Sequence, residues 1–163
     1  MRILICDDGL SITQSLSQII KVYFKKKKVN VLDIVTFNDG DSLLSDKFQK
    51  DIVFLDIEMP GFDGIYVGNE LKKQNESAII FIVTSHLEYL DAAMRFHVFR
   101  YLSKPIDKQR LFQNLDDALE LYYSINQKIA VETKYGVTSV LTCDIVYVEA
   151  KGRKVIVHTD CVS

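Results

Sequence analysis

Five short, nearly unbroken apolar runs recur along the first two-thirds of the chain: Ile3–Cys6, Val31–Phe37, Ile52–Leu55, Ile79–Val83 and Val98–Leu102. Their length and β-branched content suit strands buried on both faces. The stretches between them have helical period. Ile12, Leu16, Ile19, Ile20 and Tyr23 share one face, and Ser11 with Gln14 forms a capping box ahead of it. Asp63 is placed to cap a helix carrying Val67 and Leu71. Leu87, Leu90, Ala93, Met94 and His97 mark another helix. Leu111, Leu115, Ala118, Leu119 and Tyr122 mark the last, with Asp107 as its N-cap. Strand and helix in strict alternation call for a parallel sheet covered on both faces.

After Tyr123 the rhythm changes. Ile129–Thr133 alternates, Lys134-Tyr135-Gly136 reads as a turn, and Val137–Leu141 resumes. Asp144–Glu149 and Val155–His158 then flank a turn over Ala150–Lys154. This is an antiparallel, all-β pattern, and the boundary falls near Ser124–Lys128. A length of 163 residues allows one ordinary domain and a short remainder.

A net charge of −2 excludes the strongly cationic body of a chain that holds nucleic acid by bulk charge, so any DNA contact is local. Lys25–Lys28 read as the cationic close of the first helix. Cys6, Cys143 and Cys161 show no metal-ligand spacing. The first apolar run is too short for a signal peptide or a membrane span, and the chain reads as cytoplasmic, with no membrane contact.

The chemistry lies at the strand ends, where open parallel sheets bind ligands. Asp7-Asp8 follow the first run, Asp56 the third, Thr84-Ser85 the fourth and Ser103-Lys104-Pro105 the fifth. Any one of these residues is as readily a helix cap or a loop-satisfying group; five at successive strand ends are not. Crowded carboxylates raise a pKa or recruit a cation, and hard oxygen ligands around a partly open position suit Mg²⁺. A carboxylate beside Mg²⁺ is equipped to attack phosphorus and become an aspartyl phosphate. Lys104 would neutralise the transferring oxygens, and Thr84 is placed to hydrogen-bond the new phosphoryl group.

The segment Asp56-Ile-Glu-Met-Pro-Gly-Phe-Asp-Gly64, with Asp7-Asp8 before it and Lys104-Pro105 after it, resembles the receiver domain of bacterial two-component response regulators. The resemblance implies a flavodoxin-like α/β fold, with five parallel strands in the order 2-1-3-4-5. It also implies a phosphoryl group taken from a phosphohistidine on a sensor histidine kinase. It makes Asp56 the phosphoacceptor, and places Mg²⁺ on Asp7, Asp8, Asp56 and the backbone carbonyl of Glu58. Lys104 then pairs with the phosphoryl group, Thr84 is the switch hydroxyl and Tyr101 the aromatic that follows it. Glu58 and His86 occupy positions that tune phosphoryl lifetime, and the Lys104–Pro105 peptide is expected to be cis. Residues 87–123 are expected to present the face that responds, with Phe96 or Phe99 exposed to mediate homodimerisation on phosphorylation.

Residues 1–124 thus read as the receiver, and residues 125–163 as a linker with the start of an output module. Asp144–Thr159, with its Ile-x-Tyr-x-Glu-Ala-x-Gly-Arg-Lys pattern, resembles the opening of the LytTR DNA-binding family. That implies transcription regulation, with Lys151, Arg153 and Lys154 as candidate DNA contacts; a charged, solvated hairpin turn is the plainer alternative. A LytTR module is longer than this tail, so the chain reads as truncated. The rival is a natural single-receiver protein acting as phosphoryl sink or dimerisation partner. A metal-dependent phosphohydrolase would carry a second Asp where Glu58 stands. A flavin or nucleotide module would offer hydroxyls where Asp7-Asp8 stand.

Overall fold

The computed structural model describes residues 1–31, 33–86, 89, 91, 95–152 and 154–159. Backbone packing divides the chain into two compact units, Met1–Ala118 and Leu119–Ser163. The first is built on β1 (Arg2–Cys6), β2 (Asp33–Phe37), β3 (Ile52–Leu55), β4 (Ile79–Thr84) and β5 (Arg100–Ser103), interleaved with α1 (Leu10–Lys27), α2 (Gly40–Ser45), α3 (Gly64–Gln74) and α4 (Lys108–Ile125). The strands form one parallel sheet in the order β2-β1-β3-β4-β5, a flavodoxin-like arrangement.

The three apolar runs without a charged residue take the centre: every residue of β1, β3 and β4 is buried. β2 and β5 are the edges and are partly exposed, which corrects the expectation of five strands buried on both faces. An edge strand has one neighbour, so its outer residues meet solvent, and Asp33 and Arg100 at their ends suit that place.

Side-chain alternation sends Leu4, Cys6, Val53, Leu55, Ile80 and Ile82 into one core layer, with Leu43 of α2 and Val67 and Leu71 of α3. The intervening residues, Ile3, Ile5, Phe54 and Phe81 among them, are equally buried, and the Phe54 and Phe81 rings stack at 4.7 Å. Leu16, Ile20 and Tyr23 of α1 and Leu111, Leu115 and Ala118 of α4 are buried as their period requires. α1 and α4 meet where the Tyr23 ring edges onto Phe112 at 5.1 Å and its hydroxyl donates to Asp116 at 2.6 Å.

The helix ends are set by local chemistry. Asp63 Oδ1 accepts the Tyr66 N–H at 2.7 Å and Asp107 Oδ1 the Arg110 N–H at 2.6 Å, both as their spacing implies. α1 has no Ser11–Gln14 box: its N-cap is Gly9, with no side-chain cap bond. The helix starts earlier because the Asp7 carboxylate accepts the Gly9 N–H at 2.8 Å and turns the chain directly out of β1. Lys25, Lys26 and Lys27 do form its last turn. α2, which the apolar pattern leaves unmarked, is one short stretch capped by Asp39, whose carboxylate accepts the Ser42 N–H at 2.7 Å.

Phe96 is 3% exposed, which overturns its assignment to an exposed dimer face. Its ring lies against Gly68 of α3, where a Cβ would come within 2.4 Å of the ring. Burying a phenylalanine this way stabilises by about 1.5–3 kcal/mol. Phe99 is half-buried, edge-on to Phe81 at 5.3 Å with the Arg100 guanidinium over its ring. Of the helix marked by Leu87, Leu90, Ala93, Met94 and His97, the first four residues lie outside the described residues, as do Arg153 and Cys161, while His97 stands in a turn with a left-handed φ of +57°.

In the second unit β6 (Lys128–Thr133) pairs antiparallel with β7 (Gly136–Leu141), and β8 (Ile145–Lys151) with β9 (Lys154–Thr159). The first turn falls where expected, with Gly136 at φ +131°. The second is tighter than Ala150–Lys154: pairing runs to Lys151 opposite Lys154, because Gly152 takes the left-handed φ of +64° that a short hairpin needs. Among the described residues no helix is long and apolar enough to cross a membrane.

β1 is anchored at its start by Arg2, whose guanidinium grips Asp46 through two bonds of 2.8 Å while its N–H donates to Asp51 at 2.6 Å. The Arg2 bond holds the Asp46 carboxyl below its ordinary pKa, against a smaller effect of burial. A carboxylate held this way stabilises the fold above its unfolded pKa near ~3.9 and loses that contribution as pH falls through the depressed folded value. Asp46→Asn is therefore expected to lower unfolding free energy by about 2 kcal/mol at neutral pH. The gap to wild type should narrow in acid, as a urea-unfolding series against pH would show.

Candidate functional site

The sheet ladder itself delivers the site residues. Just past the last rung of β3, the Asp56 N–H donates to Cys6 O at 2.9 Å. Past β1, the Asp7 N–H donates to Phe37 O at 3.1 Å, and past β5 the Lys104 N–H donates to Thr84 O at 3.0 Å. Three chemically active side chains thus leave the same end of the sheet, Asp7 and Asp56 at the point between β1 and β3 where the winding reverses and Lys104 past β5.

There Lys104 Nζ lies 2.5 Å from Asp56 Oδ2 and 2.7 Å from Asp7 Oδ2. Both carboxylates are almost wholly buried, Asp7 at 2% exposure and Asp56 at 4%. Asp56 Oδ1 accepts the Ile57 N–H at 2.7 Å. Asp7 Oδ2 has the ammonium close by, but at an angle that leaves it without a regular hydrogen bond. Burial pushes the Asp7 carboxyl above its ordinary pKa despite the opposing pull of Lys104 and the Gly9 N–H. Burial pulls the Lys104 ammonium down, yet the attraction of the adjacent Asp56 and Asp7 carboxylates outweighs that and holds it above its usual value. Asp8 is exposed beside them, and one carboxylate oxygen from each of Asp7, Asp8 and Asp56 lies within 4.8 Å of the others. Such a set of hard, partly solvent-facing oxygens fits a magnesium ion.

Cys6, under this cluster, is not a competing nucleophile. Burial, with the charges of Asp39, Asp7 and Asp56, pushes its thiol up to about 12. Its Sγ packs on Met59 Sδ at 3.4 Å.

The remaining sequence candidates gather at one side. Thr84 closes β4, is 1% exposed, and its hydroxyl accepts the His86 N–H at 3.3 Å. Tyr101, half-buried in β5, donates its hydroxyl to His86 O at 2.7 Å. His86 Nε2 meets Glu58 Oε2 at 2.9 Å. The Lys104–Pro105 peptide is cis. Lys151 and Lys154 lie in the second unit, exposed and directly opposite each other beside the β8–β9 turn.

Two contacts were not legible as functional in the sequence. The first is the joint grip of Lys104 on both Asp7 and Asp56. The second is Gly64. Its N–H donates to Ile57 O at 2.8 Å, and a Cβ there would lie 2.1 Å from the Asp56 carbonyl oxygen and 2.7 Å from Ile57 Cα. The first residue of α3 therefore presses on the backbone of Asp56 itself. The signal was present as a glycine directly after the capping Asp63, where a helix start needs none.

A 2-1-3-4-5 sheet with an acidic, cation-compatible cluster and a lysine at its switch point defines a class: an α/β domain built to handle an anionic group beside a divalent cation. The chain belongs to the response regulator receiver domain family, whose model matches residues 3–116, and it is a receiver of the two-component kind rather than a catalytic enzyme in the usual sense. It is similar to a response regulatory protein of Staphylococcus epidermidis, with 32% identity over 140 residues, covering 82% of this chain and 54% of that protein. It is also similar to the sensory transduction protein LytT of Bacillus subtilis, with 25% identity over 98% of this chain and 69% of that protein. Among solved structures it resembles the response regulator TrrA of Thermotoga maritima in complex with Mg(2+)-BeF. That likeness has a TM-score of 0.61 and 25% identity, over 72% of this chain and 97% of the other. The chain thus spans about half the length of the staphylococcal relative.

Gly64→Ala forces a methyl group into the Asp56 backbone and is expected to destabilise by about 1–3 kcal/mol or to displace α3. Gly61, at φ +87° with open space around it, gives the contrast: Gly61→Ala meets only backbone strain of about 1–2 kcal/mol. Thermal denaturation of the two variants, with Mg²⁺ affinity measured alongside, separates the cases. Only the Gly64 change should weaken the metal site.

Proposed function

We propose that this chain takes a phosphoryl group from a sensor histidine kinase onto Asp56 and passes the change to an output that regulates transcription. The observation that carries the reading is the buried Asp56 carboxylate, held between the Ile57 N–H and the Lys104 ammonium at the mouth of the site. Asp7, Asp8 and Asp56, with the backbone carbonyl of Glu58, would hold Mg²⁺, which when bound supplies positive charge to the transferring phosphoryl oxygens.

The protein's own groups do the rest. An Asp56 oxygen forms the new bond to phosphorus while the phosphorus–nitrogen bond of the phosphohistidine breaks. Its electron pair stays on the imidazole, which takes up a proton. Lys104 leaves its carboxylate partners for the phosphoryl oxygens, and the Thr84 hydroxyl hydrogen-bonds a second oxygen. Thr84 and Lys104 end β4 and begin the loop after β5, so following those oxygens displaces both segments. Glu58 and His86, which face each other over this mouth, set how readily water reaches the phosphoryl group. Self-phosphorylation from small donors and slow autodephosphorylation follow from the same groups. Phosphorylation is expected to favour a homodimer through the segment that Thr84 and Tyr101 adjoin.

Residues 125–163 are read as a linker and the first strands of a LytTR-type DNA-binding module, in keeping with the likeness to LytT along almost the whole chain. Like charges directly opposite each other on a hairpin are destabilising, so Lys151 facing Lys154 suits an anionic partner. The single-receiver alternative shares the site and lacks only this output. We place the protein in the cytoplasm, where kinase and DNA are both in reach.

Intact mass after incubation with acetyl phosphate and Mg²⁺ tests the core of this. Wild type is expected to gain one phosphate and Asp56→Asn none; equal labelling of both would refute it. For the output, weak and salt-sensitive DNA binding is expected from this chain. Lys151→Ala with Lys154→Ala should weaken it evenly across sequences and reduce the salt slope. A nanomolar, sequence-selective gel shift by these 163 residues would contradict that expectation.

A further inference from the structure

Two cavities border the acidic cluster, and they differ in charge. One, of about 490 Å³, is walled by Asp8, Glu58 and Asp63 with Tyr89. The other, of about 480 Å³, runs between α1 and the segment after β5, and no carboxylate is among its described lining residues. Its walls are Ile12 and Ile19 of α1 and Pro105 and Ile106 after β5, joined by Ser85 and Lys104. Lys104 carries this groove into the cluster, since its Nζ lies 2.5 Å from Asp56 Oδ2. Ile12 reaches the cluster from the α1 side: a Cβ placed at Gly9 would lie 3.3 Å from Ile12 Cδ1 and 3.0 Å from Asp7 Oδ1. The three isoleucines are only half-buried. Apolar surface therefore faces water in a groove that opens on the Asp56 carboxylate.

We propose that this groove takes the acyl group of a small acyl phosphate whose phosphoryl group lies at Asp56, and that the chain therefore selects donors with longer apolar acyl groups over acetyl phosphate. The proposal deepens the receiver reading of this site and rests on it. In the transfer, an Asp56 oxygen bonds to phosphorus while the bond from phosphorus to the acyl oxygen breaks. The electron pair stays on that oxygen, so the donor leaves as a carboxylate and no proton is needed. Charge decides between the two cavities. A departing carboxylate is repelled by the acidic walls of the first, whereas the second offers the Lys104 ammonium and the Ser85 hydroxyl. The apolar walls then add an affinity that grows with the length of the acyl chain. Acetate and butyrate are leaving groups of nearly equal basicity, so a preference between their phosphates measures the groove and not the reactivity of the bond. The isoleucines set which donor binds and take no part in the bond change.

The test compares initial rates of phosphate uptake by the full chain, read by intact mass with Mg²⁺ and equal, sub-saturating concentrations of acetyl phosphate, butyryl phosphate or phosphoramidate. Two further methylenes leaving water favour the longer donor by up to about fifteenfold when wholly buried, and by about fivefold in a groove open to solvent. Wild type is therefore expected to take phosphate about fivefold faster from butyryl phosphate than from acetyl phosphate. Ile19→Ser and Ile106→Ser are each expected to lower that ratio to about two. Val22→Ser, exposed on α1 outside the groove, should leave it in place. An unfolded fraction lowers both rates alike, so a loss of fold does not imitate a change in the ratio. A ratio near one in wild type, or one unmoved in both isoleucine variants, overturns the groove. Phosphoramidate has no acyl group and reports Asp56 by itself. Labelling by phosphoramidate beside a butyryl-to-acetyl ratio near one sinks the groove and leaves the phosphoacceptor reading standing. No label from any donor sinks both.

Discussion

One ammonium between two buried carboxylates holds the site together. Asp7 and Asp56 leave neighbouring strands almost without solvent, and two anions so placed repel each other in a medium that screens them poorly. Lys104 Nζ, within 2.7 Å of an oxygen on each, offsets that repulsion. Removing one member of such a cluster leaves the others buried and uncompensated, which costs more than the pairing itself contributes. The same balance makes the cluster responsive. An anionic group arriving there would compete for the lysine and a cation for the carboxylates, so either arrival would rewrite every partnership in the cluster.

This arrangement depends on close backbone approach. Gly64 brings the start of α3 onto the Asp56 carbonyl, and Gly68, one turn later, opens the notch that Phe96 fills. Both are helical positions where glycine costs about 1 kcal/mol against alanine, so each must be offset by what the missing side chain admits. At Gly64 it admits the backbone of Asp56 and Ile57. At Gly68 it admits an aromatic ring that fixes the chain shortly before β5 begins.

The apolar runs and the residues that follow them made most of this readable. Charge-free runs became central strands, runs bearing Asp33 or Arg100 became edges, and the acids and the lysine came out on one rim because a parallel sheet points all its carboxyl ends the same way. What stayed hidden has a common physical origin. Phe96 looked like surface because its partner is a glycine, and glycine leaves no apolar mark in a pattern. The Ser11–Gln14 box failed because Asp7, a residue already singled out for another role, supplies the turn into α1. His86 was legible only as a lifetime-tuning position, because two of its three site contacts are made by backbone atoms, which carry no residue signature.

The two halves of the site differ in how firmly they are held. Asp7 and Asp56 follow β1 and β3, each of which is paired on both sides and wholly buried. Lys104 and Tyr101 belong to the run of β5, an edge strand paired to β4 alone and partly exposed. Local opening costs least where hydrogen bonds are solvent-exposed and apolar contacts few, so the acidic half is the more firmly held and the lysine half the more yielding. Thr84 sits between them, buried at the end of β4, bonded through its carbonyl to Lys104 and through its hydroxyl to His86. A charge added at Asp56 therefore finds rigid neighbours on one side and a yielding strand on the other. A displacement started there would run toward the yielding side, where β5 is the edge of the sheet.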